Sequence, residues 1–314
     1  MLNQDGQLIN TEVRIETTNR CQARCTMCAR DSMTRPLVDM AYKDFTDIVD
    51  QAKALGAETI SLFGFGEPLL DETLVQKVDY CTKNGLESFL TTNAGLLDLD
   101  QIYGLLYAGL SHIRFSFHAI YKHEYEQVHK GLKYDTVKRN ISNFLAINKA
   151  KFDRACEVSV SVIPLNGESV DLIRKTWEPS IDYLEVWRPH NWAGGKNFRE
   201  VVPKKRTCGR PFSGPVQINS DKRVMLCCFD YDAQMILGHL DDVPLYAILR
   251  GEPLWQIQEA HTTGDYGVLP CGNCDQRNEY TKEDWPLLYS NRDKSLEIGK
   301  TSSCKVKIDS TSIT

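Results

Sequence analysis

The chain has 314 residues, 42% hydrophobic and 25% charged, with a formal net charge of −5. That length holds one large domain, or a large and a small one, the composition excludes wholesale disorder, and the acidic balance leaves no electrostatic footprint for nucleic acid or an anionic lipid surface. No apolar run approaches the ~18 residues of a membrane span and MLNQDGQLIN is not a signal peptide, so no membrane partner is expected and the expected compartment is the cytoplasm.

The first predicted strand, VRIET (13–17), runs directly into NRCQARCTMCARD (19–31). An amphipathic stretch at 42–55 follows, with Phe45, Ile48, Val49, Ala52 and Leu55 on one helical face. Further strands are predicted at TISLF (59–63), ESFLTT (87–92), HIRFSF (112–117), EVSVSVI (157–163) and DYLEVW (182–187), with helical patterns between them. Six repeats of strand then helix imply parallel strands with right-handed crossovers. The expected fold is α/β, a partial (β/α)6 TIM-like barrel whose site lies at the C-terminal ends of the strands; an open doubly wound sheet is the alternative.

Near residue 203 the rhythm changes. VQINSDKRVMLCC (216–228) reads as a β-hairpin, residues 241–261 as a helix broken at Gly-Glu-Pro, and LPCGNCDQ (269–276) as a loop. The expected division is a barrel at 11–203, a small C-terminal hairpin and helix module at 204–285 and a tail at 286–314, ending in the polar SSCKVKIDSTSIT (302–314).

Eleven cysteines in a reducing compartment point to metal or redox chemistry. Cys21, Cys25 and Cys28 lie in the first strand-to-helix loop, and no histidine precedes His112. Structural zinc nearly always takes four ligands, so a local fourth would have to be a carboxylate such as Asp31. A cluster of four irons held by three thiolates would instead leave one iron open to a non-protein ligand.

This CxxxCxxC loop after strand one resembles the radical S-adenosylmethionine (SAM) superfamily. The resemblance implies a 4Fe-4S cluster whose open iron chelates SAM, and reductive cleavage to a 5'-deoxyadenosyl radical that abstracts hydrogen from a substrate. GFGEP (64–68) is similar to the motif that binds the SAM amino group: Gly66 and Glu67 match, while Phe65 stands where the motif's first glycine usually lies. TTNAG (91–95) resembles the ribose-contacting segment through Thr92 and Asn93. In FSFHA (115–119) Ser116 matches, but His118 takes the place of an acidic residue; Met27 replaces the aromatic residue that packs on adenine.

Downstream, Cys208, the pair Cys227 and Cys228, Cys271 and Cys274 suggest a four-thiolate site for which zinc remains an alternative. Adjacent strand residues face opposite ways, so one of the pair, taken as Cys227, is expected to join the others. The order CGRPF, hairpin, ILGHL, CxxC is similar to the SPASM/twitch extension, which implies a single auxiliary 4Fe-4S cluster. Likeness to twitch dehydrogenases of the 2-deoxy-scyllo-inosamine dehydrogenase type implies two-electron oxidation of a small molecule. EVWRPHNWAGG (185–195), at the end of strand six, supplies Arg188, His190, Asn191 and Trp192 toward the rim, with Arg188 and His190 the candidates to act on substrate; the alternative is that these residues link the two domains. Peptide modification and epimerisation are the alternatives, the latter needing a hydrogen-donating thiol such as Cys156 or Cys228. A non-catalytic iron-sulfur carrier or zinc-stabilised module is the non-enzyme alternative. Implied partners are a small-molecule or peptide substrate and a flavodoxin- or ferredoxin-type reductant. Cys81 and Cys304 are read as ordinary thiols.

Overall fold

The computed structural model describes residues 1–165, 169–278 and 287–298. Strands β1 (Glu12–Ile15), β2 (Thr59–Leu62), β3 (Glu87–Thr92), β4 (His112–Ser116), β5 (Glu157–Val162) and β6 (Tyr183–Val186) pair in parallel, each with the next. Helices α1 (Tyr42–Ala54), α2 (Leu74–Lys83) and α3 (Leu99–Tyr107) make the first three crossovers. Two helices, α4 (Lys122–Val128) and α5 (Tyr134–Lys151), fill the fourth, and α6 (Val170–Trp177) makes the fifth.

Alternation explains the packing. Val13, Ile15, Ile60 and Leu62 are fully buried with Phe45, Ile48, Val49 and Ala52 of α1, the face that the 42–55 pattern predicts. Each large apolar side chain so buried contributes roughly 1.5–3 kcal/mol. The other sheet face is concave: the guanidinium groups of Arg14 on β1 and Arg114 on β4 lie 5.3 and 5.4 Å from the centre of the same Phe63 ring. Strands three places apart meet across the lumen, as a curled barrel requires and a flat sheet does not.

After β6 the chain forms α7 (Arg210–Ser213), β7 (Val216–Ile218), β8 (Arg223–Met225), β9 (Ile236–His239), α8 (Leu245–Ile248) and α9 (Glu252–Thr263). The expected hairpin gains a third strand, β9, antiparallel to β8. Cys227 and Cys228 lie in the turn beyond β8, not in the strand as expected, because β8 ends at Met225. The predicted break at Gly251 does separate α8 from α9, whose first turn holds Pro253.

β7 is parallel to β1, with Val13 opposite Val216, so the downstream strands extend the barrel sheet. At the opposite edge β10 (Leu287–Ser290) pairs antiparallel with β6 and with β11 (Leu296–Ile298), completing a sheet of eleven strands among the described residues. This corrects the reading of 286–314 as a tail from its first residues. Leu288 and Ser290 turn inward on β10, and Asn291 N–H donates to the Asp182 carbonyl at 2.9 Å. The stretch 302–314, with Cys304, lies outside the described residues.

Candidate functional site

The loop between β1 and α1 is held against the end of α4. Arg24–Cys25 pair with His129–Lys130, and Thr26 N–H donates to the Val128 carbonyl at 2.9 Å. Cys21, Cys25 and Cys28 are each partly buried. Burial pushes the Cys21 thiol up to about 11, with Glu67 and Cys28 adding to it, and raises Cys25 and Cys28 as well. Thiols so placed stay protonated until a metal takes the proton's place, so the loop suits a cation-rich cluster.

Glu67 lies beside this loop, buried, and accepts from Leu69 N–H at 3.2 Å, Asn93 N–H at 2.9 Å and the Thr92 hydroxyl. Burial outweighs these donors and lifts its carboxyl to about 7. Asn93 then reaches the cysteine loop: its Oδ1 accepts from Gln22 Nε2 at 3.0 Å, and its amide lies 3.9 Å from Cys21 Sγ. A Cβ on Gly66 would stand 2.1 Å from the Thr18 carbonyl oxygen, while Glu67 N–H donates to the Arg20 carbonyl at 2.8 Å. Only glycine lets the 64–67 turn lie on the backbone that leads into Cys21. Gly66, Glu67, Thr92 and Asn93 therefore assemble around the thiol loop.

The other residues singled out from the sequence are placed less uniformly. Phe65 packs on Trp192, ring centres 5.4 Å apart, and under Arg35; its N–H donates to Glu16 at 2.9 Å. Met27 is buried, and its carbonyl accepts from Trp192 Nε1 at 2.7 Å. Ser116 ends β4 half-buried. His118 is buried behind the loop, stacked on His129 at 4.7 Å, and accepts at Nδ1 from Ile163 N–H; burial lowers it to about 4.

Two ion pairs line the lumen. Arg14 makes a two-pronged contact with Glu12, which also accepts from Ser61, and Arg114 pairs with Glu185, which accepts from Trp187 Nε1. Hydrogen bonding to both carboxylates satisfies charges that would otherwise be costly to bury. Beyond β6, Arg188 is exposed, whereas His190 packs on Phe229 at 4.6 Å and accepts from Gln276 at 3.1 Å; burial holds it below the usual imidazole value. Cys156 precedes β5, a six-residue strand, and so lies ~20 Å from the rim at the barrel's opposite end, which removes it as a donor there.

Cys208, Cys227, Cys271 and Cys274 line one cavity of about 80 Å³ with Leu226 and Met235. Cys228 does not line it; its Sγ lies 3.5 Å from an Arg14 guanidinium nitrogen in the lumen. A hydrogen bond from Cys227, then Arg210 and Arg14, hold the Cys228 thiol well below its usual range. Arg210 is half-buried, and the strongest charges favouring its cation are Cys228, Cys227 and Cys208 rather than a carboxylate. A half-buried guanidinium facing thiols fits an anionic thiolate centre. Burial pushes Cys271 and Cys274 each up to about 12. Among the described residues no three Cys, His, Asp or Glu side chains converge as a single metal ion requires.

Arg210, Phe229 and His129 escaped the sequence reading; CGRPF carried a signal for Arg210, and His129 carried none. The Radical SAM superfamily model matches residues 15–176, and the iron-sulfur cluster-binding SPASM model matches 208–275. A probable GTP 3',8-cyclase of Methanothermobacter marburgensis is 32% identical over 130 residues, 41% of this chain and 42% of that protein. A PqqA peptide cyclase of Rhodopseudomonas palustris is 28% identical over 123 residues, 37% and 32% of the respective chains. The matches thus span less than half the length of these curated relatives. In fold, the chain is similar to BtrN in complex with AdoMet and 2-DOIA (TM-score 0.61, 16% identity, 87% of this chain and 99% of that one). It is also similar to Streptococcus suis SuiB bound to precursor peptide SuiA (TM-score 0.65, 15% identity, 85% and 70%).

Proposed function

The chain belongs to the radical SAM superfamily, and from that premise we propose that it cleaves SAM reductively and oxidises a small, carbohydrate-like substrate by two electrons. The observation that carries this reading is the network joining Cys21, Asn93, Glu67 and Thr92 at the C-terminal rim of the barrel. When bound, the first cluster would supply the electron that splits the sulfonium, SAM the 5'-deoxyadenosyl radical that abstracts hydrogen, and an auxiliary cluster an acceptor for the substrate's second electron.

In this reading Cys21, Cys25 and Cys28 hold the first cluster. Glu67 accepts from the SAM amino group, Gly66 admits its close approach, Thr92 and Asn93 face the ribose, and Met27 the adenine. Cys208, Cys227, Cys271 and Cys274 hold the auxiliary cluster, with Arg210 balancing its charge. Ser116 faces the lumen at the end of β4, and His118 supports the loop from behind. His190, kept neutral by burial, takes the hydroxyl proton at Nδ1 once Gln276 Nε2 releases that nitrogen, and Arg188 at the mouth attracts an anionic substituent.

Anaerobic reconstitution tests the proposal: about eight irons per chain and dithionite-dependent 5'-deoxyadenosine are expected. Zinc without iron, or no 5'-deoxyadenosine, rejects it. A second reading, epimerisation, draws on the lumen-facing sulfur of Cys228 beside Arg14, which must take up a solvent proton before it can return a hydrogen atom. It requires solvent deuterium in the product, lost in Cys228→Ala; a ketone product without label rejects it. Peptide modification, the reading nearest to SuiB with its precursor peptide, requires a mass change in a peptide substrate.

A further inference from the structure

Behind Cys25 lies a group with no part in that scheme. The Nδ1 of His129 is 3.4 Å from Cys25 Sγ, within reach of an N–H···S hydrogen bond. Its other nitrogen is already committed, because the main-chain N–H of His118 donates to Nε2 at 3.3 Å. A nitrogen that accepts carries no proton, so the ring's single proton sits on Nδ1 and points at the sulfur.

The ring cannot turn away. Tyr125 stacks on it at 4.4 Å and His118 at 4.7 Å, both nearly parallel, and its backbone is paired with Cys25 itself. His118 is held in turn by Ile163 N–H. His129 is fully buried, and because Nε2 accepts from the His118 amide the ring carries one proton only. The Tyr125 hydroxyl is buried with no hydrogen-bond partner among the described residues, in a position where the charges of Cys25 and Glu67 act on it. An unpartnered donor beside the same cysteine marks a place where sulfur or ligand acceptors are expected.

We propose that His129 is a fixed, neutral N–H donor to the Cys25 thiolate of the SAM-binding cluster, locked in its Nδ1–H tautomer by the His118 amide, and that this hydrogen bond raises the cluster's reduction potential. The inference rests on the three-cysteine reading above. A donor on a cluster sulfur withdraws electron density and stabilises the reduced state, one of the levers by which proteins set such potentials. His129 is a positioning residue, acting through Cys25.

The test uses full-length reconstituted protein with 15N-labelled histidine, reduced by dithionite without SAM. Pulsed EPR on the signal that shifts when SAM is later added is expected to show a histidine 15N coupling, absent in His129→Leu. In redox titration at the wild-type midpoint, His129→Leu is expected to show a reduced-to-oxidised ratio about tenfold lower, a shift of about 59 mV for one electron. His129→Gln, which keeps an N–H donor, should recover most of it. A SAM-responsive signal with no histidine coupling, or an unchanged midpoint in His129→Leu, overturns the inference. If the variants lose the cluster, the wild-type coupling decides alone. Absence of any SAM-responsive signal overturns instead the three-cysteine reading.

Discussion

The indole N–H of Trp192 donates to the carbonyl of Met27 at 2.7 Å, tying the loop after β6 to the loop that carries three thiols. The same ring lies 5.7 Å from Phe229, whose N–H donates to Cys227 Sγ at 3.4 Å. One side chain thus touches the backbone beside Cys28 and the residue that hydrogen-bonds Cys227. Its backbone is strained to allow this, with φ of 52° at Trp192 and 51° at Ala193.

Trp192→Phe keeps the ring contacts and loses the hydrogen bond, so unfolding free energy should fall by about 1 kcal/mol in urea titration. Trp192→Ala should cost more, since it removes both. No loss in Trp192→Phe would show that the indole N–H contributes nothing.

The cysteine sets should separate by iron count and by activity. Cys21→Ala, Cys25→Ala or Cys28→Ala should leave about four irons and abolish 5'-deoxyadenosine formation. Cys208→Ala, Cys227→Ala, Cys271→Ala or Cys274→Ala should also lower iron to about four while SAM cleavage survives. Cys228→Ala should keep the full iron content; iron loss there with none in Cys227→Ala would reverse the assignment of the pair.

Glu67 titrates at about 7, above its ordinary 4.5, because it is buried. A folded value raised in this way means that the group's stabilising contribution is complete below the ordinary value and is lost as pH rises through about 7. Thermal stability of the unliganded chain should therefore fall over that window relative to Glu67→Gln. The SAM amino group donates more strongly to the carboxylate than to the neutral acid, so SAM affinity should rise about fivefold between pH 6 and 7 in the wild type, a rise missing in Glu67→Gln. Calorimetric titration at the two pH values measures both slopes.

Gly66→Ala should force the 64–67 turn off the Thr18 and Arg20 carbonyls. A Cβ 2.1 Å from an oxygen cannot be accommodated without backbone movement, and overpacking of this kind costs about 1–3 kcal/mol. Denaturant unfolding gives the cost, and SAM affinity should drop in the same variant. An unaltered midpoint would mean that the turn relaxes freely.

The features that could be read in advance are those encoded locally. The spacing of Cys21, Cys25 and Cys28, the helical face Phe45–Ile48–Val49–Ala52 and the strand runs each declare themselves within a few residues. Cys227 lines the thiol cavity, but from a turn beyond β8 and not from the strand whose alternation was the ground for choosing it over Cys228. What stayed hidden is non-local. His129 meets Cys25 only because the end of α4 folds back as a strand partner, and Arg114 meets Glu185 across the lumen. The strands β10 and β11 are short, so their periodicity is too brief to separate from the stretch beyond.

Because Val13 of β1 is bonded in register to Val216 of β7, the barrel's first strand has no open flank of its own. Excising the region after β6 would strip that flank of its partner and leave a row of unanswered amides and carbonyls ready to pair with another molecule. The two thiol-bearing halves are therefore one mechanical body, and a fragment ending near residue 203 should precipitate rather than survive as a smaller working protein.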